Sequence, residues 1–327
     1  MPPRILLTTT SFQDTPGPHH EALAATGWEI VTARGPLSEA DTMALVGAVD
    51  GMICGDDLIS GRVLDKAVPR LKVLSKYGIG VDKIDVAACT ALGIPVLFTP
   101  GVNHTTVAEH AFLLMLALEK NLLFHADSTR GGGWKRQTGH ELMGRTLGLV
   151  GLGRIGREVA KRARAFGMEV VATNRTWDDA FAEAQGIGRA ADLADLLRRA
   201  DVVSLHVSLA PETRNLLRAE TLRLMKPDAI VVNCARGEIV NTADMAEALA
   251  AGRIRGYATD VLDAEPPPAD HPLTRLPNCL VTPHVGSRTF ESVQRQAMAA
   301  VTNLVAAMRG EPPLAQINPQ VPVRKVV

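Results

Sequence analysis

Leu147-Gly148-Leu149-Val150-Gly151-Leu152-Gly153-Arg154-Ile155-Gly156 is an apolar run that enters a Gly-x-Gly-x-x-Gly turn, with the amphipathic segment Arg157 to Phe166 behind it. That order predicts a buried strand, a tight turn and a helix. Gly151 permits the turn, Gly153 lets backbone approach a pyrophosphate with no Cβ in the way, and Gly156 lets the helix pack closely on the strand. The helix N-terminus, near Arg154 and Ile155, offers free N–H groups to the anion. The next apolar run ends in Ala172-Thr173-Asn174-Arg175-Thr176, about 20 residues on, where NAD enzymes place an acid against the ribose hydroxyls. The acid is missing here. Asn174 and Thr176 can donate hydrogen bonds, and Arg175 can pair with a 2′-phosphate. A dinucleotide site preferring NADP(H), with NAD(H) as the alternative, is therefore expected.

Outward from this turn, short runs rich in Ile, Val and Leu alternate with longer amphipathic segments, as when parallel strands are joined by crossover helices. Strands are predicted at Thr146 to Val150, Glu169 to Thr173, Val202 to Leu205, Ala229 to Asn233, Gly256 to Asp260 and Cys279 to Thr282, six in one nucleotide-binding sheet. An earlier series, Arg4 to Thr9, Glu29 to Thr32, Gly51 to Cys54, Lys72 to Ser75 and Pro95 to Phe98, predicts a smaller doubly wound sheet. Long helical patterns run from about Asn103 to His125 and from about Thr289 to Arg309. The second carries the chain back toward the first sheet. The expected fold is α/β, with two doubly wound parallel-sheet domains: a Rossmann cofactor domain, 101–287, inserted in a flavodoxin-like substrate domain, 1–100 and 288–327. A cleft between them is the expected site.

A chain of 327 residues suits two domains of roughly 100 to 200 residues each. Lys plus Arg and Asp plus Glu are equal at 35 each, so no excess positive charge exists to hold nucleic acid or an anionic membrane. Cys54, Cys89, Cys234 and Cys279 are far apart and form no metal-binding cluster. The longest apolar run, Ala111 to Leu118, is fenced by charged residues, and MPPRILLTTT lacks a signal peptide's apolar stretch. A cytoplasmic protein without metal is expected. His19 and His20, in a Pro/Gly turn, are expected to be solvated.

Three segments close predicted strands, where open α/β sheets keep their ligands: Val232-Asn233-Cys234-Ala235-Arg236-Gly237, Asp260-Val261-Leu262-Asp263-Ala264-Glu265-Pro266 and Thr282-Pro283-His284-Val285-Gly286-Ser287. An arginine, a glutamate and a histidine are a sufficient set for carbonyl reduction. Arg236 would grip the carboxylate or carbonyl oxygen and polarise the C=O. His284 would give a proton to the developing alkoxide, or take one in oxidation. Glu265 would hydrogen-bond the imidazole, setting its tautomer and favouring its charged form. His206, also at a strand end, is the rival acid/base, but has no nearby carboxylate except Glu212. Cys234 reads as a packing residue.

At these residues the chain resembles the D-isomer-specific 2-hydroxyacid dehydrogenase family, which includes glyoxylate and hydroxypyruvate reductases, phosphoglycerate dehydrogenase and D-lactate dehydrogenase. The likeness runs from about Tyr77 to Ser287. Besides the segments above it rests on Tyr77-Gly78-Ile79-Gly80-Val81-Asp82 and Thr105-Thr106-Val107-Ala108-Glu109-His110. The resemblance implies that Ile79 and Gly80 bind the substrate carboxylate through backbone N–H groups, that Asp260 holds the nicotinamide carboxamide, that Val207, Cys234 and Ala235 touch the cofactor, and that the protein is a homodimer. Trp134, after three glycines, is either a dimer-arm residue or a packed loop aromatic. Phosphoglycerate enzymes of the family commonly carry an arginine where this chain has Cys54, followed by Gly55, Asp56 and Asp57, and an acidic loop is poor company for phosphate. The chain also lacks length for their regulatory domain. An unphosphorylated acid, glyoxylate or hydroxypyruvate, is therefore expected. The alternatives are a 3-phosphoglycerate dehydrogenase-like enzyme and a nucleotide-sensing interaction protein of the same fold. Glu265 argues against formate dehydrogenase, where the resemblance places a glutamine.

Overall fold

The computed structural model describes residues 2–327. The chain divides into two compact units, one running up to Asn103 and resuming over Arg288–Val327, the other spanning His104–Ser287.

In the first unit, β1 (Arg4–Leu7), β2 (Glu29–Thr32), β3 (Gly51–Cys54), β4 (Val73–Lys76) and β5 (Val96–Leu97) form a parallel sheet of order β2-β1-β3-β4-β5. The sequence changes direction between β1 and β3, which makes the sheet doubly wound. The C-terminal helix Phe290–Met308 packs on it, burying Ala297, Ala300, Val301 and Leu304 against Ile5, Ile53, Val73 and Leu97. His19 is buried rather than solvated, because the turn around it becomes the helix Pro18–Ala24 and turns its Nε2 onto the Phe12 carbonyl at 3.1 Å. Its ring also packs edge-on against Phe12, and burial lowers its pKa.

The second unit holds β6 (Thr146–Val150), β7 (Glu169–Thr173), β8 (Ile187–Arg189), β9 (Val202–Leu205), β10 (Ile230–Asn233), β11 (Gly256–Thr259) and β12 (Cys279–Val281). All are parallel, in the order β12-β11-β10-β9-β6-β7-β8. The sheet thus has seven strands, not six. β8 is a three-residue edge strand, Ile-Gly-Arg, whose pairing with β7 rather than any apolar run makes it a strand. Side chains of β10 alternate between two buried faces: Ile230 and Val232 pack under the helix His104–Glu119, and Val231 packs on the opposite side with Leu196 and Leu205. A sheet covered on both sides reads in sequence as unbroken apolar runs, which is why these strands were legible.

The long helical pattern after Asn103 breaks. A first helix ends at Glu119, Asn121 adopts the left-handed conformation (φ 50°), and a second helix covers Leu122–Arg130. Asparagine accepts that conformation more readily than most residues. The helix behind the glycine turn begins at Arg154, three residues earlier than its apolar periodicity suggested, and ends at Ala165. Among the described residues no helix is long and apolar enough to cross a membrane, and no His/Cys/Asp/Glu group could hold a metal ion.

Candidate active site

β6 lies between β7 and β9, so the second sheet reverses its winding at β6/β9, the switch point where such sheets take a dinucleotide. The glycine turn sits there. Gly151 has φ 102°, and a Cβ on it would lie 2.5 Å from the His206 carbonyl oxygen; a Cβ on Gly156 would lie 2.2 Å from the Gly151 oxygen. Both glycines are demanded by the chain's own packing. A Cβ on Gly153 would meet nothing within 4 Å, so that side of the turn faces open space beside a helix N-terminus with no side-chain cap. Free N–H groups at Arg154 and Ile155 and an unfilled approach at Gly153 fit a bound pyrophosphate.

At the end of β7, the Asn174 side chain is turned inward. Its Oδ1 accepts from the Leu152 N–H at 3.0 Å and its amide donates to the Thr176 carbonyl, so it holds the two loops together. Arg175 and Thr176 are exposed, and no described residue pairs with the Arg175 guanidinium. Val207 follows β9 and is half-buried. Cys234, after β10, is held protonated by burial and then by the Asp260 charge, which fits packing and not nucleophilic work.

Arg236, Glu265 and His284 follow β10, β11 and β12, three adjacent parallel strands, and so stand at one edge of the sheet. Asn233, fully buried, builds the Arg236 turn: its amide donates to the Arg236 carbonyl at 2.9 Å and its Oδ1 accepts from the Ala235 N–H at 3.0 Å. The next residue locks this turn to the glutamate loop, since a Cβ on Gly237 would lie 2.0 Å from the Leu262 carbonyl carbon. Glu265 Oε1 accepts from the Leu262 N–H at 2.9 Å, and Oε2 lies 2.7 Å from His284 Nδ1. Because Glu265 only accepts when ionised, the proton between them belongs on Nδ1, so a change of protonation that keeps this hydrogen bond takes place at Nε2. The two side chains remain about a third exposed, at 34% for His284 and 32% for Glu265.

His284 has φ 53°, a left-handed conformation that costs a non-glycine residue about 1–2 kcal/mol. Asp260 holds it there. The Asp260 carbonyl accepts from the His284 N–H at 2.9 Å, and its carboxylate accepts from the N–H groups of Val285 (2.9 Å) and Gly286 (2.7 Å) and from the Thr282 hydroxyl (2.6 Å). Burial alone would raise the Asp260 pKa, but hydrogen bonds from His110, Thr282 and the Val285 N–H outweigh it and the pKa is lowered. His271 grips the other side of the glutamate loop, its Nε2 3.0 Å from Asp263 Oδ1. The sequence singled out neither His110, Thr282, His271 nor Asn233 for these contacts. Asn233 and Thr282 stand at strand ends, which hinted at a structural role, whereas His110, within the helix His104–Glu119, and His271, in the loop between β11 and β12, gave no such signal.

His206 is disqualified as the rival acid/base by its surroundings. Its ring hydrogen-bonds Ser204, on the strand just before it, at 2.8 Å, and burial pushes its pKa down to about 4, so it is neutral where an acid would need its proton. Ile79 and Gly80 belong to the first unit, in the loop after β4. Gly78, with φ 113°, bends the chain there and is tied to Thr99 by hydrogen bonds in both directions. The acidic character expected of the Cys54–Asp57 loop is mostly compensated. Asp57 is fully buried and accepts from the Thr8 hydroxyl and the N–H groups of Leu37 and Gly55, while Asp56 pairs with Lys76 at 2.7 Å. Trp134 is 75% exposed, so it is no packed loop aromatic within this chain.

Comparison with known proteins matches residues 112–286 to the model of the D-isomer specific 2-hydroxyacid dehydrogenase NAD binding domain. The chain is 40% identical over 304 residues to a glyoxylate reductase of Thermofilum pendens, covering 89% of each protein. It is 41% identical over 271 residues to a D-3-phosphoglycerate dehydrogenase of Methanocaldococcus jannaschii, covering 82% of this chain but only 51% of that one. A solved structure of a Thermus thermophilus protein superposes with a TM-score of 0.87 at 41% identity, covering 96% of this chain and 99% of that one.

Proposed function

Because the chain belongs to the D-isomer specific 2-hydroxyacid dehydrogenase family, an NAD(P)-dependent oxidoreductase family, we propose that it reduces a small unphosphorylated 2-oxo acid, glyoxylate or hydroxypyruvate, to the 2-hydroxy acid. A chiral product has the D configuration. The observation that carries the reading is the Glu265–His284 pair, with Glu265 anchored on the Leu262 N–H and its Oε2 2.7 Å from His284 Nδ1. The cofactor, once bound, supplies the hydride. Arg236 binds the 2-oxo acid and polarises its carbonyl, while His284 delivers the proton to the oxygen as negative charge develops there. Glu265 orients the imidazole and favours its protonated form. The backbone N–H groups of Ile79 and Gly80 take the substrate carboxylate. Asp260, besides shaping the His284 loop, accepts from the nicotinamide carboxamide, and Val207, Cys234 and Ala235 line the cofactor.

Glyoxylate is favoured over a phosphorylated acid by the relative that matches along nearly its full length, and by the absence of an arginine at Cys54. The acidic loop adds little, since Asp56 is paired with Lys76 and the Asp57 carboxylate is buried on the Thr8 hydroxyl and the Leu37 and Gly55 N–H groups. NADPH is favoured by the exposed, unpaired Arg175 and by the absence of a carboxylate at Asn174. Initial rates with NADPH and NADH against glyoxylate, hydroxypyruvate, pyruvate and phosphohydroxypyruvate test both points. The unphosphorylated acids should turn over faster with NADPH, and Arg175→Glu should reverse the preference, because it sets a like charge against the 2′-phosphate. A wild-type preference for NADH would overturn the cofactor reading, and a preference for the phosphorylated acid the substrate reading.

The protein acts as a homodimer joined through its second unit. The support is a set of exposed apolar side chains there: Leu113, Leu122, Leu123, Phe124, Trp134 and Met143. Light scattering should give about twice the chain mass of 34.9 kDa, and a monomeric mass at micromolar concentration would refute the dimer.

A further inference from the structure

We propose that His110 is a positioning residue for the reaction, acting from the helix His104–Glu119 through Thr282 and Asp260 to hold the His284 loop in its left-handed turn. This rests on the function proposed above and extends it to a residue outside the catalytic set.

Hydrogen bookkeeping fixes the direction of the chain of contacts. The Thr282 hydroxyl lies 2.6 Å from Asp260 Oδ1, which as a carboxylate only accepts, so the hydroxyl proton points to Asp260. His110 Nε2 lies 3.0 Å from the same hydroxyl oxygen and 3.3 Å from Asp260 Oδ1. With the hydroxyl proton already committed, His110 must be the donor, with its proton on Nε2. The imidazole N–H therefore feeds the threonine, and the threonine feeds the aspartate. That aspartate in turn receives the N–H groups of Val285 and Gly286, the two residues after His284.

The packing agrees with a built device. The His110 and Asp260 side chains are only 11% and 4% exposed. Gly286 leaves room for both: a Cβ there would lie 2.8 Å from Asp260 Oδ2 and 3.4 Å from His110 Cδ2. A buried aspartate with nothing but backbone donors would be held less well against its desolvation, and the His110–Thr282 arm supplies the remainder. The loop it secures carries the one histidine whose ring meets Glu265, in a conformation that its own backbone disfavours. Loss of the arm lets that loop relax and the ring drift from Glu265, and reacting groups displaced by about 1 Å can cost roughly 100-fold in rate.

The test compares His110→Phe, which keeps bulk but cannot donate, with His110→Gln, whose amide reaches the place of Nε2. Thr282→Val removes the link between them. His110→Phe and Thr282→Val should each lower kcat roughly 10- to 100-fold with the melting temperature little changed, and His110→Gln should recover most of the loss. Amide hydrogen exchange over residues 282–287 should be faster in the first two and restored in the third. Equal damage from Gln and Phe would overturn the proposal in favour of simple packing, and a parallel fall in melting temperature would overturn it in favour of general loosening. Unchanged exchange in His110→Phe would also overturn it. A wild-type protein that reduced no 2-oxo acid would sink the functional reading separately, and the exchange comparison would still decide whether His110 holds the loop.

Discussion

Replacing His284 by asparagine lowers kcat for 2-oxo-acid reduction by roughly 100- to 10,000-fold, the range expected when a positioned proton donor is lost. That corresponds to about 2.7–5.4 kcal/mol of transition-state stabilisation. Asparagine is the informative choice because the residue has φ 53°, which asparagine tolerates and alanine does not. The variant removes the ionisable ring without adding strain to the loop that Asp260 holds. Asparagine can also keep a hydrogen bond to Glu265, so the side chain lost is the acid and little else. NADPH affinity, measured by fluorescence titration, should stay within about twofold, since the glycine turn after β6 is untouched. A variant with near-normal kcat would sink the assignment of His284 as acid/base. His206, neutral with a pKa pushed down to about 4, offers no substitute.

Replacing Glu119 by leucine destabilises the second unit by about 3–5 kcal/mol, the cost of removing one partner from a buried ion cluster. Glu119 is fully buried at the end of the helix His104–Glu119. Arg145 Nη1 lies 3.0 Å from both its carboxylate oxygens, and Arg255 donates to Oε2. Both guanidinium groups also reach the Asp228 carbonyl, so two like charges sit against one backbone oxygen with the single Glu119 carboxylate paired to both. Deleting the carboxylate leaves those charges together and half-desolvated. The melting temperature should fall by roughly 6–20 °C. Combining Glu119→Leu with Arg145→Met and Arg255→Met should recover much of that loss, because the uncompensated charges go as well. A single variant that melts with the wild type would show that the cluster contributes nothing.

The sequence by itself determined the fold class, every strand but β8, and the ends at which Arg236, Glu265 and His284 sit. These follow from local rules: strands buried on both faces must be apolar throughout, and a glycine turn before a helix needs its glycines wherever backbone would collide. Chemistry-bearing residues after such strands were legible because a parallel sheet brings their carboxyl ends to one edge. The tertiary structure decided what depends on pairing across the chain. β8 is a strand only because β7 offers it partners. His19 looked solvated in its turn, and only the helix packed around it buries it. Asp56 and Asp57 read as an acidic loop until Lys76, Thr8 and Leu37 arrive from distant positions to satisfy them. The His110–Thr282–Asp260 arm joins residues 172 positions apart in sequence. Periodicity reports which face of an element is buried, but hydrogen-bond partners are chosen by the packing of whole elements, and no local pattern encodes that choice.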